Sequence, residues 1–148
     1  MRAVVQKVSS ASVTVDGVIS GEIGFGLLVL LGINHTDNHQ TVNWMAKKLA
    51  NLRIFPDDQG KMNKSVLEID AGGILIISNF TVYGHVSNGF RPSFSEAARP
   101  EIAEPLYNQL VDELSQNYPL RIAKGKFGAI MKVSLTNEGP VTLFIEKD

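Results

Sequence analysis

Two short runs carry residue types that could do chemistry on a substrate. They are Ser78-Asn79-Phe80-Thr81 and, about sixty residues on, Thr136-Asn137-Glu138-Gly139-Pro140-Val141-Thr142. Each sets small hydroxyl residues, or glycine beside proline, against an apolar segment that reads as a buried strand. In the first run, backbone N–H groups and hydroxyls could meet a carbonyl of a substrate. The bland use of such a run is a strand end whose hydroxyls satisfy nearby backbone groups. A threonine nucleophile needs an activating base. His85 lies four residues beyond Thr81, but no acid stands out to orient it, and a loop histidine is the plainer reading. In the second run, Gly139 lets the backbone approach a ligand closely, because no Cβ intervenes. The same Gly-Pro pair also suits a tight turn between two strands, and nothing local fixes the isomer of the peptide bond.

Other constellations are weaker. His35 and His39 have an i, i+4 spacing, yet no glutamate of the zinc-hydrolase pattern lies between them, so a surface pair is the better reading. Gly21-Glu22-Ile23-Gly24-Phe25-Gly26 has no following helix; its glycines read as a bend between strands, not as a phosphate loop. Lys47, Lys48 and Arg53 punctuate a helix and its exit, while Arg91, Arg99, Lys124 and Lys126 are scattered near irregular segments. A solvated face is the default for such charges, and phosphate binding would need some of them to converge in space.

The elements that must position these residues can be read from periodicity. Ala3 to Val8, Ser12 to Val15 and Val18 to Ile23 read as strands, with Asp16-Gly17 as a hairpin signal. Leu27 to Ile33 is a continuous apolar strand, and Asp37 could cap a helix whose apolar face carries Val42, Met45, Ala46, Leu49 and Leu52. Ile74 to Ile77 is a buried strand ending at Ser78. A second helix is predicted from Glu101 or Glu104 to Asn117, with Pro105 in or near its first turn. Leu120 to Ala123, Ala129 to Leu135 and Val141 to Ile145 complete the strands. The fold class expected is α+β: one domain over residues 1–148, mostly antiparallel sheet and barrel-like, with two packed helices.

Composition narrows the function. The 148 residues suit one domain, and 44% hydrophobic with 20% charged residues is ordinary for a globular chain. No apolar run is long enough to span a bilayer, and the first residues lack the pattern of a signal peptide. The absence of cysteine excludes disulfides and thiolate metal sites and points to a cytoplasmic setting. A net charge of −1 argues against a sequence-blind nucleic-acid binder, leaving room for a protein that grips one end of an RNA through a local patch.

The two runs together closely resemble the signature motifs of the D-aminoacyl-tRNA deacylase family, Ser-Gln-x-Thr and Asn-x-Gly-Pro-x-Thr. The likeness extends along the chain, through Met1 to Val8, Ala11 to Val15, Gly26 to Gly32, Leu52-Arg53-Ile54-Phe55, Gly60-Lys61-Met62-Asn63, Arg91-Pro92-Ser93-Phe94, Phe127-Gly128-Ala129 and Met131. It implies a cofactor-free and metal-free homodimer with active sites at the subunit interface. Such an enzyme hydrolyses the ester between a D-amino acid and the 3′-terminal adenosine of tRNA, and also removes mischarged glycine. The catalytic residues implied are Ser78, Phe80 and Thr81, with the Phe80 N–H beside the ester carbonyl as an oxyanion donor. Substrate binding falls to Gly139, Pro140, Asn137 and Met131. A Gly139–Pro140 cis bond, inserted into the partner's pocket, would hold the α-ammonium and exclude L side chains sterically. With no base for Thr81, attack by water with help from the ribose 2′-hydroxyl is the preferred route. Two departures from the family pattern stand out: Asn79 where glutamine is usual, and Asn88 and Phe90 where Lys and Arg are common.

Overall fold

The computed structural model describes Met1–Asp148 throughout. Its first strand, β1 (Arg2–Val15), alternates buried and partly exposed side chains and runs unbroken across Ser9-Ser10, where the sequence suggested two separate strands. Asp16 and Gly17 both take positive φ and turn the chain tightly into β2 (Val18–Ile23). β1 pairs antiparallel with β2 through its second half and with β3 (Gly26–Gly32) through its first half. β3 then pairs in parallel with β6 (Gly73–Ser78), and β6 in parallel with β7 (Arg121–Lys124). The last strand, β8 (Lys132–Glu146), runs antiparallel along the opposite edge of β1. The sheet curls until β7 meets β2, where Ser20 Oγ donates to the Lys124 carbonyl at 3.4 Å. The result is a nearly closed barrel in an α+β domain.

Parallel pairing explains why β3 and β6 are apolar on both faces. Leu27, Val29, Leu31, Ile74 and Ile76 face the main core beneath the helices. Leu28, Leu75 and Ile77 face a second core inside the barrel, with Val8, Val13 and Ile23. Helix α1 (His39–Asn51) buries Val42, Met45, Ala46 and Leu49 against the first core, as its periodicity predicts. Its cap is Asn38 rather than Asp37: Asn38 Oδ1 accepts from the Gln40 and Thr41 N–H groups, and Thr41 completes a capping box. Asp37 is instead buried and accepts from the Met1 ammonium at 2.6 Å and the Asn34 N–H at 2.7 Å.

Helix α2 (Pro100–Asn117) begins one residue before Glu101, the earlier of the two starts suggested by the sequence, because Pro100 supplies its first residue. Pro105 therefore lies inside the helix, in its second turn. Both Pro105 and Glu101, the residue whose carbonyl loses a hydrogen bond, are exposed, so water can satisfy that carbonyl. The loop after α1 also holds a small hairpin not foreseen from sequence, β4 (Phe55–Pro56) with β5 (Met62–Lys64). No helix is long and apolar enough to cross a membrane.

Candidate active site

β6 delivers Ser78 to its carboxyl end, where it stands opposite Leu31 of β3. The Asn79 N–H donates to the Leu31 carbonyl at 2.8 Å, and the chain then turns through a 3-10 helix, Phe80–Tyr83. Asn79 caps this turn: its Oδ1 accepts from the Thr81 N–H at 3.2 Å and from the Thr81 hydroxyl. The far end is anchored by Tyr83, which is buried under the Arg2 guanidinium at 4.4 Å from its ring. Burial pushes the Tyr83 hydroxyl well above its ordinary pKa, so it stays neutral.

This turn forms one wall of a cavity of about 680 Å³. Ser78, Asn79 and Phe80 line it together with Leu30 and Ile77, the α2 start at Arg99 and Pro100, and Phe127 and Met131. Phe80 is 58% exposed and packs edge-on against Phe94, with ring centres 5.1 Å apart. As the first residue of its turn, Phe80 has an N–H that the turn cannot satisfy, and no turn or loop carbonyl accepts from it. The Ser78 hydroxyl is likewise unpartnered within the chain. Met131 fits because residue 125 is glycine: a Cβ there would lie 2.5 Å from the Met131 sulfur. The floor is held by Tyr107, whose hydroxyl donates to the Ile76 carbonyl at 2.8 Å.

Thr136 to Thr142 behaves differently from a turn between strands. It is one continuous strand with a bulge: between the Gln6–Thr142 and Val8–Asn137 pairings, β1 advances two residues while β8 advances five. The Gly139–Pro140 peptide bond within the bulge is cis. Asn137 ties the bulge at its neck, its Oδ1 accepting from the Val141 N–H at 3.0 Å and its Nδ2 donating to Thr142 Oγ1 at 2.9 Å. Glu138, Gly139 and Pro140 are left exposed. Gly139 has φ near +131°, a conformation L side chains rarely take. Leu135 and Leu143 flank the bulge on β8, with Phe144 beyond at 57% exposed.

The structure thus gathers Ser78, Phe80 and Met131 in one cavity, whereas Thr81, Asn137, Gly139 and Pro140 do not line it. His85, the base considered for Thr81, is instead paired with Glu96, an acid that nothing local connects with it. His39 binds Gln109 of α2, and no three His, Asp or Glu side chains gather as metal ligands would. Sequence reasoning missed Phe94, Arg99 and Phe127 as cavity residues. Their only signal was position in the irregular stretches after β6 and β7, and such loops form site walls once strands bring them together. Of the scattered cations, Lys47, Lys48 and Arg53 do converge, around a shallow depression of about 400 Å³ floored by Trp44. There the Lys48 and Lys147 ammonium groups lie 5.1 and 5.9 Å from the Trp44 ring centre.

Comparison with known proteins agrees with this architecture. Residues 4–146 match the family described as D-Tyr-tRNA(Tyr) deacylase. The D-aminoacyl-tRNA deacylase of Opitutus terrae is 56% identical over 146 residues, covering 99% of this chain and 97% of its own. That of Prosthecochloris aestuarii is 53% identical, covering 99% of both. Among solved structures, the c-Myc DNA unwinding element binding protein superposes with a TM-score of 0.93 at 43% identity, over 100% of this chain and 99% of that one. A probable eukaryotic D-amino acid tRNA deacylase shares the fold, with a TM-score of 0.79 at 17% identity over 97% of each chain.

Proposed function

Because the chain belongs to the D-Tyr-tRNA(Tyr) deacylase family and is accordingly a hydrolase of D-aminoacyl-tRNA esters, we propose that it selects chirality at a site shared by two subunits. One subunit supplies the cavity at Ser78 and Phe80. Its partner supplies the Gly139–Pro140 bulge, whose carbonyls accept from the α-ammonium of the bound amino acid. With that group fixed, an L side chain would collide with the Gly-Pro backbone, while a D side chain projects to solvent. Glycine, having no side chain, escapes this exclusion and is also removed. The protein acts as a cytoplasmic homodimer on the 3′ end of aminoacyl-tRNA, without a metal or cofactor.

The observation that carries the reading is the free Phe80 N–H and the unpartnered Ser78 hydroxyl on residues lining one mostly apolar cavity. A donor fixed there in advance stabilises the oxyanion as the ester carbonyl is attacked. The hydroxyl of Thr81 is engaged with Asn79, an amide too weakly basic to activate it, and His85 is committed to Glu96. Water is therefore the nucleophile, oriented by the substrate's ribose 2′-hydroxyl. Its oxygen bonds to the acyl carbon, the bond to the 3′-oxygen breaks, and a proton passes to that oxygen, leaving free D-amino acid and intact tRNA. Thr81 positions the turn and forms no acyl-enzyme. Lys47, Lys48 and Lys147 around Trp44 supply a local cationic surface for tRNA phosphates on a chain of net charge −1.

The shared site is supported by the exposure of the bulge and of the apolar residues flanking it. Release of amino acid from matched D-tyrosyl- and L-tyrosyl-tRNA, with enzyme in catalytic amounts and chelator present, tests the reading. Multiple turnover of the D ester with the L ester untouched is expected; hydrolysis of both would contradict chiral selection. Activity should also fall on dilution below the dimer dissociation constant.

A further inference from the structure

We propose that Arg99 reads the phosphate of the terminal nucleotide, making it a specificity residue of the cavity; this rests on the deacylase reading above. Arg99 is the only formally charged residue lining the cavity, whose other walls are mostly apolar. Its backbone is fixed. The preceding Ala98 N–H donates to the Ile33 carbonyl at 2.8 Å, and the Arg99 carbonyl accepts from Ile102 and Ala103 at 3.0 and 2.9 Å as the cap of α2. Its side chain is uncommitted. It makes no ion pair and no hydrogen bond within the chain, whereas Arg2 is bound to Glu146 and Arg53 to Asn63. Being exposed, it stays hydrated until a ligand arrives, so an apolar cavity carries it at little cost.

The chemistry of the substrate decides what such a cation meets. In an aminoacyl ester the amino acid carboxylate is consumed, and the α-amino group is itself cationic. The anion nearest the ester is the phosphodiester on the 5′ carbon of the same ribose. With the ester at Ser78 and Phe80, the cation lining the same cavity and free to meet that phosphate is Arg99. A guanidinium suits this task, since its planar fork matches two phosphate oxygens at once. The assignment also offsets the departures at Asn88 and Phe90: a cation absent from that loop is supplied from the start of α2.

The test compares two small substrates, D-tyrosine esterified to the 3′-hydroxyl of adenosine and of adenosine 5′-monophosphate. The wild-type dimer should prefer the phosphorylated ester by roughly 10- to 100-fold in kcat/KM, mostly through KM. In Arg99→Gln this ratio should fall to about one, and Arg99→Lys should recover part of it. A preference that survives in Arg99→Gln, or a loss equal for both esters, would overturn the proposal. Hydrolysis of neither ester, nor of D-tyrosyl-tRNA, by the wild type would overturn the deacylase reading and this assignment with it.

Discussion

The two regions proposed to carry the chemistry are built in opposite ways. The cavity at the end of β6 is concave, lined by residues from four stretches of one chain, and its Phe80 and Phe94 rings already pack together. The bulge of β8 is convex, exposed at Glu138, Gly139 and Pro140, and braced only at its neck by Asn137. One region is a receptacle lined by Ser78 and Phe80; the other is a projection exposed at Glu138, Gly139 and Pro140. On the reading proposed above, neither is a complete site: a substrate needing both an oxyanion donor and a backbone acceptor for its ammonium would find them where a second copy brings its projection to the first copy's receptacle.

The sharpest way to break the receptacle is Phe80→Pro, which removes the N–H from the first position of a helical turn, where proline is tolerated. Asn79 already lies outside the α region that a following proline disfavours, with φ near −148° and ψ near 91°. We expect kcat on D-tyrosyl-tRNA to fall by about 10²- to 10³-fold, with Phe80→Ala, which keeps the N–H, losing far less. Breaking the projection comes next. In Gly139→Ala a side chain occupies a strained φ, with its Cβ 2.9 Å from Val141 Cγ2. Steady-state kinetics should give a loss of kcat/KM of about 100-fold with the circular dichroism spectrum preserved.

Smaller changes sharpen the contrast between chemistry and binding. Lys47→Ala with Lys48→Ala should weaken tRNA binding several-fold and reduce the slope of log affinity against log salt by about two, as read by fluorescence anisotropy across a salt series. Thr81→Ala should retain hydrolysis within about tenfold of wild type; an ester trapped on Thr81 would contradict water attack. The smallest effect concerns stability alone. Backbone N–H groups of Lys61 and Gln59 hold the Asp57 carboxyl below its ordinary pKa. A folded-state pKa lowered in this way adds stability above the ordinary carboxylate range, lost as pH falls through the folded value. Asp57→Asn should therefore flatten the acid limb of a plot of Tm against pH.

Much of this was legible in the sequence because the signals were local. The unbroken apolar runs of β3 and β6 announced strands covered on both faces, and Asp16-Gly17 announced the hairpin. The run Ser78-Asn79-Phe80-Thr81 stood out as hydroxyls at a strand end, whereas the roles proposed for Ser78 and Phe80 came from the family resemblance. What escaped depended on partners distant in sequence. Gly139-Pro140 looked like a turn because only its pairing with β1 reveals a bulge in one long strand. His85 looked unsupported because Glu96 reaches it through a loop that closes on itself by a bridge to Ser93. Arg99 looked like one scattered cation among several, since its distinction is that the rest of the cavity carries no charge.

The shared site is tested most directly by complementation. Phe80→Pro and Gly139→Ala chains, each strongly impaired alone, would be co-expressed so that mixed dimers form, and D-tyrosyl-tRNA hydrolysis measured. A mixed dimer pairs one intact receptacle with one intact projection, so random assembly should restore roughly a quarter of wild-type activity. Activity no greater than the sum of the separate variants would mean that each chain completes its own site, contradicting the account.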